Sequence, residues 1–474
     1  DIKMGTLQRK CRLVAGGHTT APPAAQTYTS VVSRESVHIG LTLAALNGLS
    51  VLTGDLENAY LNAPCAEKIW TILGEKFEPE RKGKKALIVR ALYGLKSAGA
   101  SFRNHLALCL SHIGFESCKA DPDVWFRPSN SKTGFKCYEY LLVYTDDVMA
   151  ICHEPKEALK RIDKYFKFKD GSIKPPDLYL GGRVKPLMYG EGQVCWGQSA
   201  SLYIHEAINN ITTWLEEHDL KLPGRCDSPM STGYRPELDV SPELNSETAN
   251  WYQSAIRVLR WAVELGQIDI VTEVSMVAAH SAMPRIGHLY AVLRVFAYLK
   301  KKHNSRIVFD PSEPDIDKSL FVKHDWTAFY GDVKEAIPSN APKALGNPVT
   351  MSAWVDADHA GDRLTRRSRT GFIIFIQNAP IIWYSKKQGS IEGATFGSEM
   401  IAAKTLAETN RGLRYKLRMM GVPVEDPTYT FCDNQSVLHN TTKPESTLKK
   451  KSNSIAYHLV RESVAMGELL IAYV

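Results

Sequence analysis

The chain has 474 residues, a net charge of +7, and 44% hydrophobic and 9% aromatic residues. Single hydrophobic cores stop growing at about 250–300 residues, so the length calls for several domains, and the composition excludes a disordered chain. No apolar run reaches the roughly 18 residues that would span a membrane. The nine cysteines are scattered singly, with no CxxC pair, which points to a reduced, intracellular protein without structural zinc. The mild positive charge suits a polyanionic partner without demanding one.

In chain order, residues 36–48 (SVHIGLTLAALNG) predict a helix ending at Gly48, and 51–55 (VLTGD) a short strand. Residues 139–151 (EYLLVYTDDVMAI) are two apolar runs broken by a pair of acids, the pattern of a hairpin with charge at its tip. Residues 156–168 predict an amphipathic helix with Leu159, Ile162 and Phe166 on one face. Two proline-bearing polar stretches, 231–249 and 338–348, read as linkers dividing the chain near 230 and 345. The part between them is expected to be mostly helical. Its clearest helix, 287–301, has Leu289, Val292, Val295, Phe296 and Leu299 at helical spacing.

The last part opens with three β-like runs, 351–357, 371–376 and 380–385. A long helix is expected from 398 to about 420, stopped by Gly421 and Pro423. A strand (428–432), two helical stretches and a last strand (468–474) complete the chain.

Two sets of acids stand out against this background. Asp55 ends an apolar strand, and Asp146 and Asp147 sit side by side between two others. Adjacent acids on a short turn repel one another, and a bound cation removes the conflict. Two divalent ions about 4 Å apart need hard oxygen ligands drawn from separate segments, and these three acids answer that description. A bare Asp-Asp pair is more commonly a solvated hairpin tip, and the second strand ending in Asp weakens that alternative without removing it. In the last part, Asp356 lies on the first strand, Glu399 near the start of the long helix, and Asp433 directly after a strand. Glu399, Ala402, Ala403 and Leu406 share one helix face, so Glu399 points inward, where an unpaired carboxylate is costly. Taken singly, Asp433 also fits a helix N-cap and Glu399 a dipole partner of its own helix.

The order of segments resembles the copia-type LTR retrotransposon reverse transcriptases. The resemblance is carried by RKCRLVAGGH (9–18), LTGDLENAYLNA (52–63), VRALYGLKSAGASFRNHL (89–106), ADPDVWF (120–126), LLVYTDDVMAI (141–151) and LYLGGRV (178–184). SAWVDADHAGD, RRSRTGFIIFI, WYSKKQ, the SEMIAA helix and CDNQSV follow in the order of the copia RNase H. The fold it implies is α+β and multidomain, a right-hand polymerase joined to an RNase H-like α/β domain. Its parts would be fingers and palm over 1–185, thumb over 186–230, a connection region over 231–345 and the RNase H-like domain over 346–474.

The resemblance implies RNA-directed DNA polymerase and ribonuclease H activities. It implies Asp55, Asp146 and Asp147 as one metal-binding set and Asp356, Glu399 and Asp433 as another, with two Mg²⁺ or Mn²⁺ ions in each. Leu56 would lend a backbone carbonyl on the triphosphate side. Tyr60 would lie under the sugar and select dNTPs over rNTPs, with a half-buried packing tyrosine as the alternative. Lys10 and Arg12 would clamp the triphosphate. Many copia relatives have Gln where this chain has Ser97, which makes a smaller contact with the template.

The family's fourth RNase H acid falls just after the last strand, so the sequence ending at Val474 is expected to be a C-terminally truncated piece of a polyprotein. Asp358 reads as a surface acid. Implied partners are an RNA template, a DNA strand, the RNA–DNA hybrid and dNTPs, with no membrane, and either a second copy of the chain or the integrase part of the polyprotein. The implied location is a cytoplasmic virus-like particle or the nucleus. Basic runs at 81–85, 300–303, 363–369 and 448–451 suit phosphate contacts, although each alone also fits a solvated face. A polymerase with a decayed RNase H and a non-catalytic nucleic-acid-binding subunit are the alternatives.

Overall fold

The computed structural model describes residues 13–474 except 25, 191, 225 and 450, and of the first twelve only the backbone of 2, 3, 6 and 7. It is an α+β protein of two compact units, one made of residues 1–37 and 49–175, the other of 38–48 and 176–474. Lys10 and Arg12 lie outside the described residues.

Helix α1 (Arg34–Leu46) precedes β1 (Ser50–Asp55), with Gly48 at φ +64° in the turn between them. A two-stranded ribbon follows, β2 (Trp70–Ile72) and β3 (Lys85–Leu87), and then α2 (Ala98–His112). Strands β4 (Glu116–Ser117), β5 (Val124–Asn130), β6 (Lys136–Tyr144) and β7 (Asp147–Cys152) lead to α3 (Pro155–Asp163). The five-stranded sheet is antiparallel, in the order β1-β7-β6-β5-β4. Its central strands are apolar on both faces, as expected of strands buried on both sides. On one face Leu52, Leu141, Val143, Val148 and Ala150 pack with Phe102, Leu106 and Leu110 of α2 and Leu159 and Ile162 of α3.

The helix predicted over 156–168 stops at Asp163. The Asp163 carboxylate accepts the Phe168 backbone N–H at 3.0 Å, which turns the chain back toward β1. Phe166 is buried as expected but lies outside the helix. A glutamate at the centre of β6, Glu139, is buried because Arg127 pairs with it at 3.0 Å and the His153 backbone N–H donates to it at 2.9 Å.

The second unit begins with β8 (Leu178–Tyr179), β9 (Gly182–Tyr189) and β10 (Gln193–Ser199), followed by α4 (Ser201–Glu217). Helices α5 (Ser246–Glu264), α6 (Val271–Ala278) and α7 (Ile286–Lys302) follow, then β11 (Ile307–Phe309). Strands β8 to β11 form one antiparallel sheet, so the middle of the chain is not wholly helical, and position 185 falls inside β9. The stretch 231–249 is a linker only up to Asn245, whose side chain accepts the Thr248 N–H at 2.9 Å and caps α5.

The rest of the unit is a second five-stranded sheet. It comprises β12 (Met351–Ala357), β13 (Arg369–Ile376), β14 (Ala379–Lys387), the long helix α8 (Thr395–Met419), β15 (Thr428–Cys432), α9 (Gln435–Thr442), α10 (Ser454–Ala465) and β16 (Leu469–Tyr473). The order is β14-β13-β12-β15-β16, with the first three strands antiparallel and β15 and β16 parallel to β12. Helix α8 packs on this sheet and buries Ala402, Ala403 and Leu406.

The same helix carries a buried cation, Arg414, which is 2% exposed. Arg414 (2.7 Å) and Arg418 (2.5 Å) both grip Glu335, whose backbone N–H donates to the Met466 carbonyl at 3.0 Å. Burial alone would raise the Glu335 carboxyl, and the two guanidiniums override it and hold it at about 2 instead of the ordinary 4.5. A carboxyl held below its unfolded value stabilises the fold above that value, and the contribution disappears as pH falls from 4.5 through about 2. Glu335→Gln should therefore destabilise this unit by about 3 kcal/mol at neutral pH, because it leaves Arg414 buried without its anion. Urea unfolding at pH 7 and pH 3 checks this, and the gap between wild type and variant should narrow at the lower pH.

Candidate active sites

The first acid set is assembled by register. Asp55, the last residue of β1, pairs directly with Asp147, the first residue of β7. Directly opposed residues on an antiparallel pair project from the same face with Cβ atoms about 4.5–5.5 Å apart. Asp146 occupies the two-residue turn joining β6 to β7, since Tyr144 pairs with Asp147. Thr145, at the first position of that turn, has φ +55°, a conformation that disfavours a β-branched residue and usually falls to glycine. The Leu56 N–H donates to the Asp146 carbonyl at 2.8 Å and ties the turn to the end of β1. Gly54 is required beside it, because a Cβ there would sit 2.7 Å from the Phe168 ring. That close approach lets the Lys169 N–H reach the Asp55 carbonyl at 2.9 Å and the Lys169 ammonium pair with the Asp55 carboxylate.

The electrostatics follow from this crowding. Burial, then Asp146 and Asp55, push the Asp147 carboxyl up to about 6, with Lys169 opposing. Asp55 Oδ1 is buried and accepts no hydrogen bond. Tyr60 lies on a short 3₁₀ turn, its ring 4.9 Å from Tyr93 and 5.9 Å from Phe102. It is half-buried and shares a small cavity with Gly99, Arg103 and Thr145, and burial followed by Asp146 raises its hydroxyl pKa. Leu56 is fully buried, backbone included, and its N–H is committed to the Asp146 carbonyl. Ser97 is 2% exposed, which removes it from any surface contact.

The second set gathers at the carboxyl ends of parallel strands. The last register pair between β12 and β15 is Val355 with Cys432, which brings Asp356 and Asp433, the next residue of each chain segment, level with one another. Glu399 stands on α8 and is 6% exposed, whereas Asp356 and Asp433 are open to solvent. Burial, then Asp356 and Asp433, raise the Glu399 carboxyl from 4.5 to about 8, and its Oε2 has no hydrogen-bond partner. The Asp356 carboxyl is raised by the partial burial of its strand-end position and then by Asp433. Asp358 is exposed, accepts the Arg369 N–H and lies beyond the end of β12.

Both sets fit a bound cation on the same grounds. Each crowds like charges from distant segments, and each leaves a buried carboxylate oxygen without a donor. Sequence reasoning missed Lys169 and Cys432. Lys169 stands in a run, KYFKFKDGS, with no spacing to mark it, and Cys432 has no CxxC or finger partner to mark it.

A reverse transcriptase (RNA-dependent DNA polymerase) family model matches residues 2–185. The chain is 24% identical over 477 residues to the retrovirus-related Pol polyprotein from transposon RE1 of Arabidopsis thaliana, covering 99% of this chain and 29% of that protein. It is 24% identical over 449 residues to the corresponding polyprotein from transposon TNT 1-94 of Nicotiana tabacum, covering 93% of this chain and 30% of that protein. Among solved structures, the foamy viral protease-reverse transcriptase in complex with an RNA/DNA hybrid aligns with a TM-score of 0.43 and 11% identity, over 91% of this chain and 45% of that one. Residues 2–185 thus match the reverse transcriptase family, and nearly the whole chain is similar to the Pol polyproteins of plant transposons, of which it spans less than a third of the length.

Proposed function

We propose that this chain copies RNA into DNA at the Asp55–Asp146–Asp147 centre and cleaves the RNA strand of RNA–DNA hybrids at the Asp356–Glu399–Asp433 centre. The observation that supports this best is the register pairing of Asp55 with Asp147 beside the strained turn that carries Asp146. A scaffold that only binds nucleic acid has no use for two such concentrations of unbalanced charge.

Asp55, Asp146 and Asp147 would hold Mg²⁺ or Mn²⁺ in the first centre, and Asp356, Glu399 and Asp433 in the second. When bound, two such ions activate an attacking oxygen and stabilise the leaving one. The protein's own work is positioning. The β6–β7 turn and the end of β1 fix three carboxylates against their mutual repulsion, and Lys169 balances Asp55. Tyr60 would sit under the deoxyribose, where its ring leaves no room for a 2′-hydroxyl. An A-form hybrid is held through phosphates, for which the exposed lysines and arginines of the 81–85 and 363–369 runs are suited.

Asp146→Asn should lower Mg²⁺-dependent primer extension on an RNA template at least about 10³-fold, roughly 4 kcal/mol of transition-state stabilisation, because an amide does not match the carboxylate's charge. Near-normal extension would sink the assignment. Tyr60→Ala should admit rNTPs while largely keeping dNTP use. If the rNTP/dNTP preference stays where it was, Tyr60 is a packing residue. Glu399→Gln should remove hybrid cleavage and spare extension, and equal losses of both activities would mean that the centres are not independent.

A further inference from the structure

The second centre contains an atom that a magnesium site does not require. Cys432 ends β15, one residue before Asp433. Tyr429 and Phe431 of the same strand turn to one face, where Phe321 packs against both and Trp354 stacks on Phe431. Alternation along the strand therefore sends Cys432 to the opposite face, where it is 1% exposed. Its sulfur, a Glu399 carboxylate oxygen and an Asp433 carboxylate oxygen lie within 4.8 Å of one another. Glu399 Oε2 is buried and accepts no hydrogen bond, so this carboxyl keeps an open lone pair.

The donor types decide which cation suits this group. Magnesium takes hard oxygen donors and gains nothing from sulfur. Thiolate favours zinc and the softer cadmium, with Zn–S near 2.3 Å and Zn–O near 2.0–2.2 Å. One sulfur and two carboxylates make three protein ligands, which leaves a fourth tetrahedral position for water on the solvent side, where Asp433 is exposed.

We propose that Glu399, Cys432 and Asp433 form a binding site for a thiophilic divalent cation, Zn²⁺ or Cd²⁺, chemically distinct from an all-carboxylate magnesium set. On binding, a metal–sulfur bond forms and the thiol proton passes to solvent. Occupation takes Glu399 and Asp433 away from Mg²⁺. Only that consequence, inhibition of hybrid cleavage, rests on the nuclease reading, and the binding itself does not.

The test is Cd²⁺ titration of the full chain, freed of metal and kept reduced with a phosphine, in excess Mg²⁺. The thiolate-to-cadmium charge-transfer absorbance is followed for wild type, Cys432→Ser, Cys432→Val and Glu399→Gln. The remaining cysteines give a background common to all four proteins. Cys432→Val keeps the buried site filled by an apolar group, so a folding defect in the serine variant does not mask the result. Both Cys432 variants should lose one thiolate's absorbance, and Glu399→Gln should need at least about tenfold more Cd²⁺ to develop it. Absorbance unchanged in the Cys432 variants overturns the proposal, whatever happens to hybrid cleavage. Loss of the absorbance, in a wild type that cleaves no hybrid in Mg²⁺, upholds the site and overturns the nuclease reading instead.

Discussion

Repulsion between carboxylates held at close quarters is the constraint around which both units are organised. Two unit charges about 5 Å apart cost roughly 3 kcal/mol at an effective dielectric of about 20, and each centre holds three acids. A chain gains no stability from such an arrangement, so the surrounding structure must impose it. In the first unit the imposition is covalent and register-based. A sheet buried on both faces fixes β1 against β7, and the β6–β7 turn accepts a threonine at positive φ to present Asp146 beside them. In the second, the ends of two parallel strands fix Asp356 and Asp433, and a 25-residue helix buries Glu399 against them.

The two centres relieve the charge differently. The first has a nearby cation, Lys169, brought in by the turn that follows α3 and admitted by Gly54. The second has no such partner in the described contacts of Glu399, whose carboxyl is driven up to about 8. The nearest buried arginine on the same helix, Arg414, is committed to Glu335, just over four turns along α8. Arg414 and Arg418 thus hold the helix through Glu335 rather than neutralise the acids of the second centre.

Much of this was legible in the sequence wherever one period dominated. The apolar runs flanking Asp146 and Asp147, and the spacing of Glu399, Ala402, Ala403 and Leu406, prescribed the hairpin and the inward face of α8 directly. The β8–β11 sheet was not legible, because β11 has three residues and pairs with β10 more than a hundred residues earlier, too short and too distant for any periodic signal. The end of α3 at Asp163 was missed because Phe166 stays buried after the helix stops, so apolar spacing continued where the backbone did not. Lys169 and Cys432 act through tertiary proximity alone. A lysine in a lysine-rich run and a single cysteine carry no spacing that would distinguish them.

The central claim is that two separate carboxylate centres each bind divalent cations. It is tested most directly by counting Mn²⁺ bound to the full chain by electron paramagnetic resonance, in wild type, Asp55→Asn, Glu399→Gln and the double variant. The account predicts that each single substitution removes part of the bound Mn²⁺ and that the double variant loses the sum of the two. Unchanged Mn²⁺ binding in either single variant would contradict it.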